Sequence, residues 1–370
     1  MRILALDQFS ELGGGQRMLL DLLPAIRSRG WEAAVALPGD GPVVERLCAQ
    51  NCTIFPIDCG PYSSGRKSAG DLARFAGEAP RLARQIRRLA AQFQPDLLYI
   101  NGPRLLPAVA WARPRVPALF HAHIEVSQIL ARRLAGVSLR RLNAHVVAVC
   151  HEVAKVWQPL AARNRVTVIY NGVPRPAGTY PHGPAGTRIG CIGRIMPEKG
   201  QRDFLEAAAQ IHKALPDSRF VIAGAALFSD ANALSYEKEI RNAAAGMPVE
   251  FTGWVSDVYA AMAQLDLLLV PSVWQEANPR VVLEAFAAGL PVIAFRAGGV
   301  PEIIDHGRTG FLCANAEEMA RLAIDLLQGD RTRLCEVAAA ARERWRRDFT
   351  LERWQDQMLA EMECVTEPRA

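Results

Sequence analysis

Two acids eight positions apart, Glu276 and Glu284, mark the stretch of this 370-residue chain with the most chemical potential: Pro271-Ser272-Val273-Trp274-Gln275-Glu276-Ala277-Asn278-Pro279-Arg280-Val281-Val282-Leu283-Glu284-Ala285-Phe286. A buried-strand pattern ends at Val270, and Glu276 falls in the loop beyond it. Pro279 marks a helix start, where the fixed φ of proline is preorganised and its missing N–H costs nothing. The first amides of that helix, those of Arg280 and Val281, form an anion site. A carboxylate before the helix and another on its inner face suit sugar hydroxyls, because each can accept two hydrogen bonds from a vicinal diol. Taken alone, Glu276 could equally serve the helix dipole and Glu284 a salt bridge.

A second group of charges sits in Gly190-Cys191-Ile192-Gly193-Arg194-Ile195-Met196-Pro197-Glu198-Lys199-Gly200. Arg194 follows a strand and Lys199 precedes a helix, so both cations lie where they could neutralise a diphosphate. In isolation they could also be a solvated loop pair. Near the N terminus, Gly13-Gly14-Gly15 follows the first strand and opens a helix, and three glycines allow positive φ and close approach of a ligand to backbone amides. The loop is neither G-x-G-x-x-G nor, with no Gly-Lys-Ser/Thr following, a P-loop, which demotes a dehydrogenase. His121 and His123 close another strand in Phe120-His121-Ala122-His123.

Positioning these groups requires strands with loops at a shared end. Short aliphatic runs alternate with longer helical stretches, the pattern of α/β units on parallel sheets. The strands expected first are Arg2–Asp7, Ala33–Leu37, Thr53–Pro56, Leu97–Asn101, Ala118–Ala122 and His145–Ala148, with helices over Gln16–Arg29, Leu72–Phe93 and Leu105–Ala112. A segment rich in proline and glycine, 173–186, reads as a linker. The alternation then restarts with strands Arg188–Ile192, Arg219–Ala223, Val249–Thr252, Leu267–Val270 and Pro291–Ala294. The expected division is a doubly wound domain over 1–172, the linker 173–186, a second such domain over 187–345, and a helical segment 346–370 that returns to the first domain. Trp345, Phe349 and Trp354 are the expected anchors of that return, and Thr350 is the expected N-cap of the last helix. Two facing nucleotide-fold domains would enclose a central cleft at the carboxyl ends of their strands.

Composition agrees with two folded domains and narrows the setting. Half of the residues are hydrophobic and 22% are charged, enough apolar side chain for sizeable cores and too little charge for disorder. No apolar run approaches the ~18 residues of a membrane span, and the first residues lead directly into a strand-like run without a leader pattern, so a cytoplasmic protein is expected. The eight cysteines are scattered with no C-x-x-C pair and read as free thiols. Neither an Asp-x-Asp motif nor a His/Asp cluster with metal-ligand spacing is present, so no metal is expected. The net charge of +5 is unevenly spread: residues 1–176 hold 23 Lys and Arg against 12 acids, whereas 177–370 hold 20 against 26. The first half is therefore expected to meet something anionic.

Taken in order, these motifs resemble the family 4 retaining glycosyltransferases of GT-B fold, two Rossmann-like α/β domains. The resemblance spans nearly the whole chain. Besides the glycine loop, Arg194–Lys199 and the Glu276–Glu284 pair, it rests on Phe120–His123, Val168-Ile169-Tyr170-Asn171-Gly172-Val173, Phe251-Thr252-Gly253-Trp254-Val255 and Ala287-Ala288-Gly289-Leu290-Pro291-Val292. It implies a nucleotide diphosphate sugar as co-substrate, UDP slightly before GDP, with no cofactor or metal. It assigns Arg194 and Lys199 to the diphosphate, Glu284 to the ribose, Glu276 to the donor sugar, and the Asn278–Val281 amides (through Pro279 and Arg280) to sugar and phosphate. Val255 would lie beside the base, Gly14 and its neighbours Gly13 and Gly15 against the phosphate, and His123, in preference to His121, at the sugar. Retention without an evident nucleophile implies front-face attack, the departing phosphate taking the acceptor's proton. This chain departs from the family in Ala277-Asn278-Pro279-Arg280, which adds a cation after the first acid, and in Cys150, where serine is common.

The acceptor is expected to be a saccharide, a lipid-linked glycan or a small molecule on the first domain. Arg74, Arg81, Arg84, Arg87 and Arg88, with Arg66-Lys67 before them and Arg132-Arg133 and Arg140-Arg141 beyond, make basic faces that suit an anionic membrane surface or an anionic acceptor. Nucleic acid is not expected, since aromatics do not interleave with these arginines. Two rival readings share the features: a sugar-nucleotide epimerase or hydrolase, and a non-catalytic protein binding an anionic glycan or membrane.

Overall fold

The computed structural model of the chain describes residues 1–60, 69–126, 128–178, 187–226, 231–274, 276–329 and 331–367. Arg66, Lys67, Gln275 and most of the expected linker (179–186) lie outside the described residues. The chain divides into two compact units: Met1–Asn171 together with Trp354–Ala370, and Gly172–Arg353.

In the first unit the strands β1 (Arg2–Asp7), β2 (Glu32–Leu37), β3 (Thr53–Pro56), β4 (Leu97–Asn101), β5 (Ala118–Ala122), β6 (His145–Ala148) and β7 (Val166–Val168) form a parallel sheet in the order β3-β2-β1-β4-β5-β6-β7. Its helices are α1 (Gly14–Ser28), α2 (Pro42–Ala49), α3 (Ala69–Phe93), α4 (Leu106–Ala112), α5 (Ile129–Leu142) and α6 (His151–Trp157). The central strands are buried almost throughout, as a parallel sheet covered on both faces requires. Strands β1 and β4 run in register from Ile3↔Leu97 to Asp7↔Asn101, which sets two polar residues side by side at the carboxyl edge.

The second unit repeats the plan. Strands β8 (Arg188–Ile192), β9 (Arg219–Ala223), β10 (Val249–Gly253), β11 (Leu267–Val270), β12 (Val292–Phe295) and β13 (Phe311–Cys313) lie in the parallel order β10-β9-β8-β11-β12-β13. Around them pack α7 (Gln201–Ala214), α8 (Ala231–Ala243), α9 (Val258–Met262), α10 (Arg280–Ala288), α11 (Val300–Ile303), α12 (Ala316–Gln328) and α13 (Arg331–Asp348). Ile189, Phe204, Phe220, Leu267, Ile293 and Met319 are among its fully buried core residues.

The last helix, α14 (Leu351–Thr366), begins as its N-cap predicts: the Thr350 hydroxyl accepts from the Arg353 amide at 3.3 Å. From Trp354 onward it belongs to the first unit, where Trp354, Met358 and Met362 are buried. The His145 Nε2 of β6 meets Glu361 Oε1 of α14 at 2.7 Å, and Gln355 donates to the Asp21 carbonyl at 2.6 Å. Trp345 and Phe349 are not the anchors expected of them. Both belong to the second unit, where Trp345 Nε1 donates to the Val173 carbonyl at 3.3 Å and the Phe349 carbonyl accepts from the Val173 amide at 3.0 Å. Their large apolar rings close the start of the second unit, a demand that helical spacing alone does not distinguish from docking elsewhere. Two short edge strands, β7 and β13, were not expected; three residues are too few to carry a period-2 pattern.

Candidate functional site

The second unit gathers its charges where its sheet changes direction. From β8 the chain moves outward through β9 and β10, then returns to β11 on the other side and continues to β12 and β13. The crossovers therefore diverge from the β8–β11 boundary and leave a crevice at the carboxyl ends of those strands. Arg194 and Lys199 follow β8, and Glu276 follows β11. Lys199 Nζ makes a close ion pair with Glu276 Oε1, and Ser272 Oγ donates to the same oxygen at 2.9 Å.

Burial alone would raise the pKa of Glu276. The charge and hydrogen bond of Lys199, the Ser272 hydroxyl and the Arg194 charge outweigh it and hold the carboxyl below its usual range. Burial lowers the pKa of Arg194, and the nearby acids Glu276 and Glu198 oppose that shift. The result is an anionic Glu276 held between two cations, Arg194 and Lys199.

The backbone here is as constrained as the side chains. Gly200 has φ +70°, and a Cβ there would lie 1.9 Å from the Pro271 carbonyl oxygen, so the β8 and β11 loops touch through a glycine. Buried Gln201 donates to the Arg194 carbonyl at 2.8 Å, fixing the loop between them. The Gly299 amide donates to the Glu276 carbonyl at 2.7 Å and ties the β12 loop to the same acid.

Helix α10 supplies the second group. Pro279 is its N-cap, in extended conformation with ψ 112°, and Arg280 is the first helical residue, so proline stands one position earlier than its preference for N1 implies. Pro279 itself offers no side-chain cap to the helix. Arg280 Nε lies 3.5 Å from Glu284 Oε1 one turn on, and both Glu284 and Asn278 are buried. Val255 is half-buried in the loop after β10, two strands from β8 in sheet order. Thus Arg194, Lys199 and Glu276 form one cluster, Arg280 and Glu284 a neighbouring pair, and Val255 a separate position along the same sheet edge.

The first unit has a different kind of site at its own direction change, between β1 and β4. The Gly13–Gly15 loop does not use positive φ. Gly13 is the extended N-cap of α1, with φ −102° and ψ −175°, and Gly14 and Gly15 already belong to the helix. Space is tight at Gly15, where a Cβ would come 3.0 Å from His123 Cδ2, whereas Gly14 is open to solvent. His123 Nε2 lies 2.7 Å from Asn101 Oδ1. Asn101 Nδ2 lies 2.5 Å from Asp7 Oδ2 and 3.2 Å from the Gly15 carbonyl. The other Asp7 oxygen accepts from Gln16 Nε2 at 2.8 Å and from the Phe9 amide at 2.9 Å.

Burial pushes Asp7 up to about 6 against the pull of these hydrogen bonds and pushes His123 down to about 4, so His123 is neutral near pH 7. His121 is fully buried, shares a 2.5 Å hydrogen bond with the Tyr99 hydroxyl and stacks 6.4 Å from the Trp354 ring, so it is packed into the core. Asp7, Gln16 and Asn101 were not expected from the sequence. The available signal was a single polar residue closing each of two otherwise apolar central strands. Among the described residues no group of three or more His, Cys, Asp or Glu converges on a cation position.

The fold and both sheet edges define a GT-B glycosyltransferase, and the chain belongs to glycosyltransferase family 4. The profile of Glycosyltransferase Family 4 matches residues 12–175, and that of Glycosyl transferases group 1 matches residues 186–329. A phosphatidyl-myo-inositol mannosyltransferase of Mycobacterium leprae is 27% identical over 365 residues, which is 93% of this chain and 91% of that protein. The crystal structure of Anabaena HepE in complex with UDP-glucose superposes with a TM-score of 0.82 at 25% identity, covering 98% of this chain and 100% of that one. Sucrose-phosphate synthase from Thermosynechococcus elongatus, at 18% identity and a TM-score of 0.80, shares the fold. The expectations of this family, of two Rossmann-like α/β domains and of a transferase are met.

Proposed function

We propose that this transferase moves a sugar from a UDP-sugar to a saccharide or lipid-linked acceptor, with retention and without a metal. The observation that carries the reading is the Arg194–Glu276–Lys199 cluster at the direction change of the second sheet, one acid held between two cations. Cleaving a glycosyl–diphosphate bond places negative charge on the leaving phosphate and positive charge on the sugar. Arg194, Lys199 and the first amides of α10 stabilise that phosphate, the work a metal does in other transferases. An arriving diphosphate competes for Lys199 and releases Glu276 to accept from sugar hydroxyls. Glu284 takes the ribose, Asn278, Pro279, Arg280 and Val281 line the sugar and phosphate, and Val255 borders the base. In the first unit, His123 takes a sugar hydroxyl and Gly13–Gly15 leave room for phosphate. The leaving phosphate oxygen accepts the acceptor's hydroxyl proton as the new glycosidic bond forms on the face from which it departs.

UDP is favoured by the UDP-glucose complex of HepE, while a relative from Mycobacterium tuberculosis, 31% identical over 43% of this chain, is named as GDP-mannose-dependent. Thermal unfolding with UDP-glucose and GDP-mannose in parallel tests the donor. A ligand at ~100 times its Kd stabilises by about 2.7 kcal/mol, and stabilisation by GDP-mannose alone would reverse the preference. Hydrolysis of the donor at an equal rate with and without acceptors would favour the rival hydrolase or epimerase.

The reading includes a cytoplasmic protein seated peripherally on an anionic membrane. No helix among the described residues is long and apolar enough to cross one. Helix α5, however, exposes Ile129, Leu130, Leu134 and Val137, by 40 to 70% of their surface, among Arg132, Arg133, Arg140 and Arg141. Arg81, Arg84, Arg87 and Arg88 of α3 are exposed too. Apolar side chains flanked by arginine suit the headgroup boundary of an anionic bilayer. Cosedimentation with anionic but not zwitterionic vesicles, weakened by Leu130→Ser with Leu134→Ser, is the expected result; equal partition to both or to neither would remove this part of the reading.

A further inference from the structure

We propose that Asn101 is a positioning residue that locks His123 as its Nε2–H tautomer, so that Nδ1 is a fixed hydrogen-bond acceptor for a substrate hydroxyl. Donor and acceptor identities along this chain of groups dictate the tautomer. The amide group of Asn101 faces the Asp7 carboxylate and the Gly15 carbonyl on one side, at 2.5 and 3.2 Å, and His123 Nε2 on the other, at 2.7 Å. A carbonyl and a carboxylate only accept, so the amide nitrogen must turn toward them and the amide oxygen toward the histidine. An amide oxygen also only accepts, so His123 Nε2 must carry a proton. In a neutral imidazole that leaves Nδ1 as a lone pair.

Asp7 is the fixed end of the chain. It is fully buried and held by Gln16 and the Phe9 amide as well as by Asn101, which is itself only 2% exposed. Asp7 and Asn101 close β1 and β4 and His123 directly follows β5, so the order of neighbouring strands aligns the relay. Burial, which lowers the His123 pKa to about 4, keeps the ring neutral, with one nitrogen protonated and one bare. The site would therefore welcome a hydroxyl, which can donate, and reject a carboxylate at the same position, which cannot.

The role rests on the reading of His123 as a sugar contact, and the test separates the two. Nitrogen-15 NMR of the histidine rings at pH 7.5, with His123 assigned by its loss in His123→Gln, reads the tautomer of the free protein. The expected spectrum has Nε2 protonated and Nδ1 bare, and Asn101→Leu should collapse it to a mixture of tautomers. An imidazolium or an Nδ1–H form in the wild type overturns the proposal without any variant. An unchanged tautomer in Asn101→Leu overturns it equally. In calorimetric titrations Asn101→Leu should weaken UDP-glucose binding roughly 10-fold while UDP binding stays within about two-fold; parallel losses would mark a merely structural residue and overturn the proposal. Failure of UDP-glucose to bind the wild type would count against the donor reading and against the hydroxyl contact, while the spectrum alone would still decide whether Asn101 sets the tautomer.

Discussion

The two units present the same topological edge with opposite electrostatics. At the β8–β11 edge the working groups are ionised and compensate one another: Arg194, Lys199 and Glu276, with Ser272 on the shared oxygen. At the β1–β4 edge one acid, Asp7, is enclosed with neutral partners, and the histidine beyond them is kept uncharged. Duplicated architecture thus fixes where a site forms, while the residue closing each strand decides what it can hold. A charged edge suits an anion whose charge grows during reaction; a neutral, directional edge suits hydroxyl groups.

The strongest way to break that contrast is to remove charge from the second edge. Lys199→Ala and Glu276→Ala should each lower kcat by ~10²–10³, read in a sugar-transfer assay, with folding preserved by circular dichroism. If either retained more than about a tenth of the activity, the ion pair would be structural. Next in size is the backbone contact between the β8 and β11 loops. Gly200→Ala combines a left-handed backbone with a contact 1.9 Å from the Pro271 oxygen, and it should destabilise the second unit by about 3 kcal/mol, lowering its Tm by roughly 10 °C.

A smaller effect separates the two titratable groups of the first edge. Asp7 has a raised pKa in the folded chain, about 6 against 3.8, so the folded state takes up a proton first and its burden of buried charge is relieved as pH falls through 6. His123 has a depressed pKa, about 4 against 6.5, so its contribution is intact above 6.5 and is lost as pH falls toward 4. Between pH 6 and 4 the two oppose each other. Relative to wild type, Asp7→Asn should lose stability more steeply on acidification and His123→Gln less steeply, each by about 2 kcal/mol between pH 6 and 4, measured as urea midpoints across that range. Slopes of the same sign would show that the pair does not titrate as described. The least effect is expected at Gly14, where a Cβ meets nothing within 4 Å. Gly14→Ala should leave stability within about 0.5 kcal/mol, so any loss of donor binding in that variant would measure how closely a ligand approaches.

Much of this was legible in the chain. Buried parallel strands carry continuous aliphatic runs, so Leu267–Val270 and Leu97–Asn101 could be read to the residue, and Arg194, Lys199 and Glu276 stood out as charges just past such runs. The short edges β7 and β13 escaped because a few residues cannot show a period. Asp7 and Asn101 escaped for a different reason: each looks like an ordinary strand end, and only the pairing of β1 with β4 makes them neighbours. The glycine loop was found, but the positive φ allowed to it is not used, since composition announces missing Cβ atoms without saying whether dihedral freedom or space beside His123 is at stake.

The seating of α14 against the first sheet, through Trp354 and Glu361, has a consequence for biogenesis. The first unit leaves the ribosome earliest, yet the indole that stacks over His121 and the Glu361 that meets His145 are made only after the whole second unit. The nascent amino-terminal half must therefore wait, with part of its core bare to solvent or chaperone, until residues some two hundred positions downstream arrive to seal it.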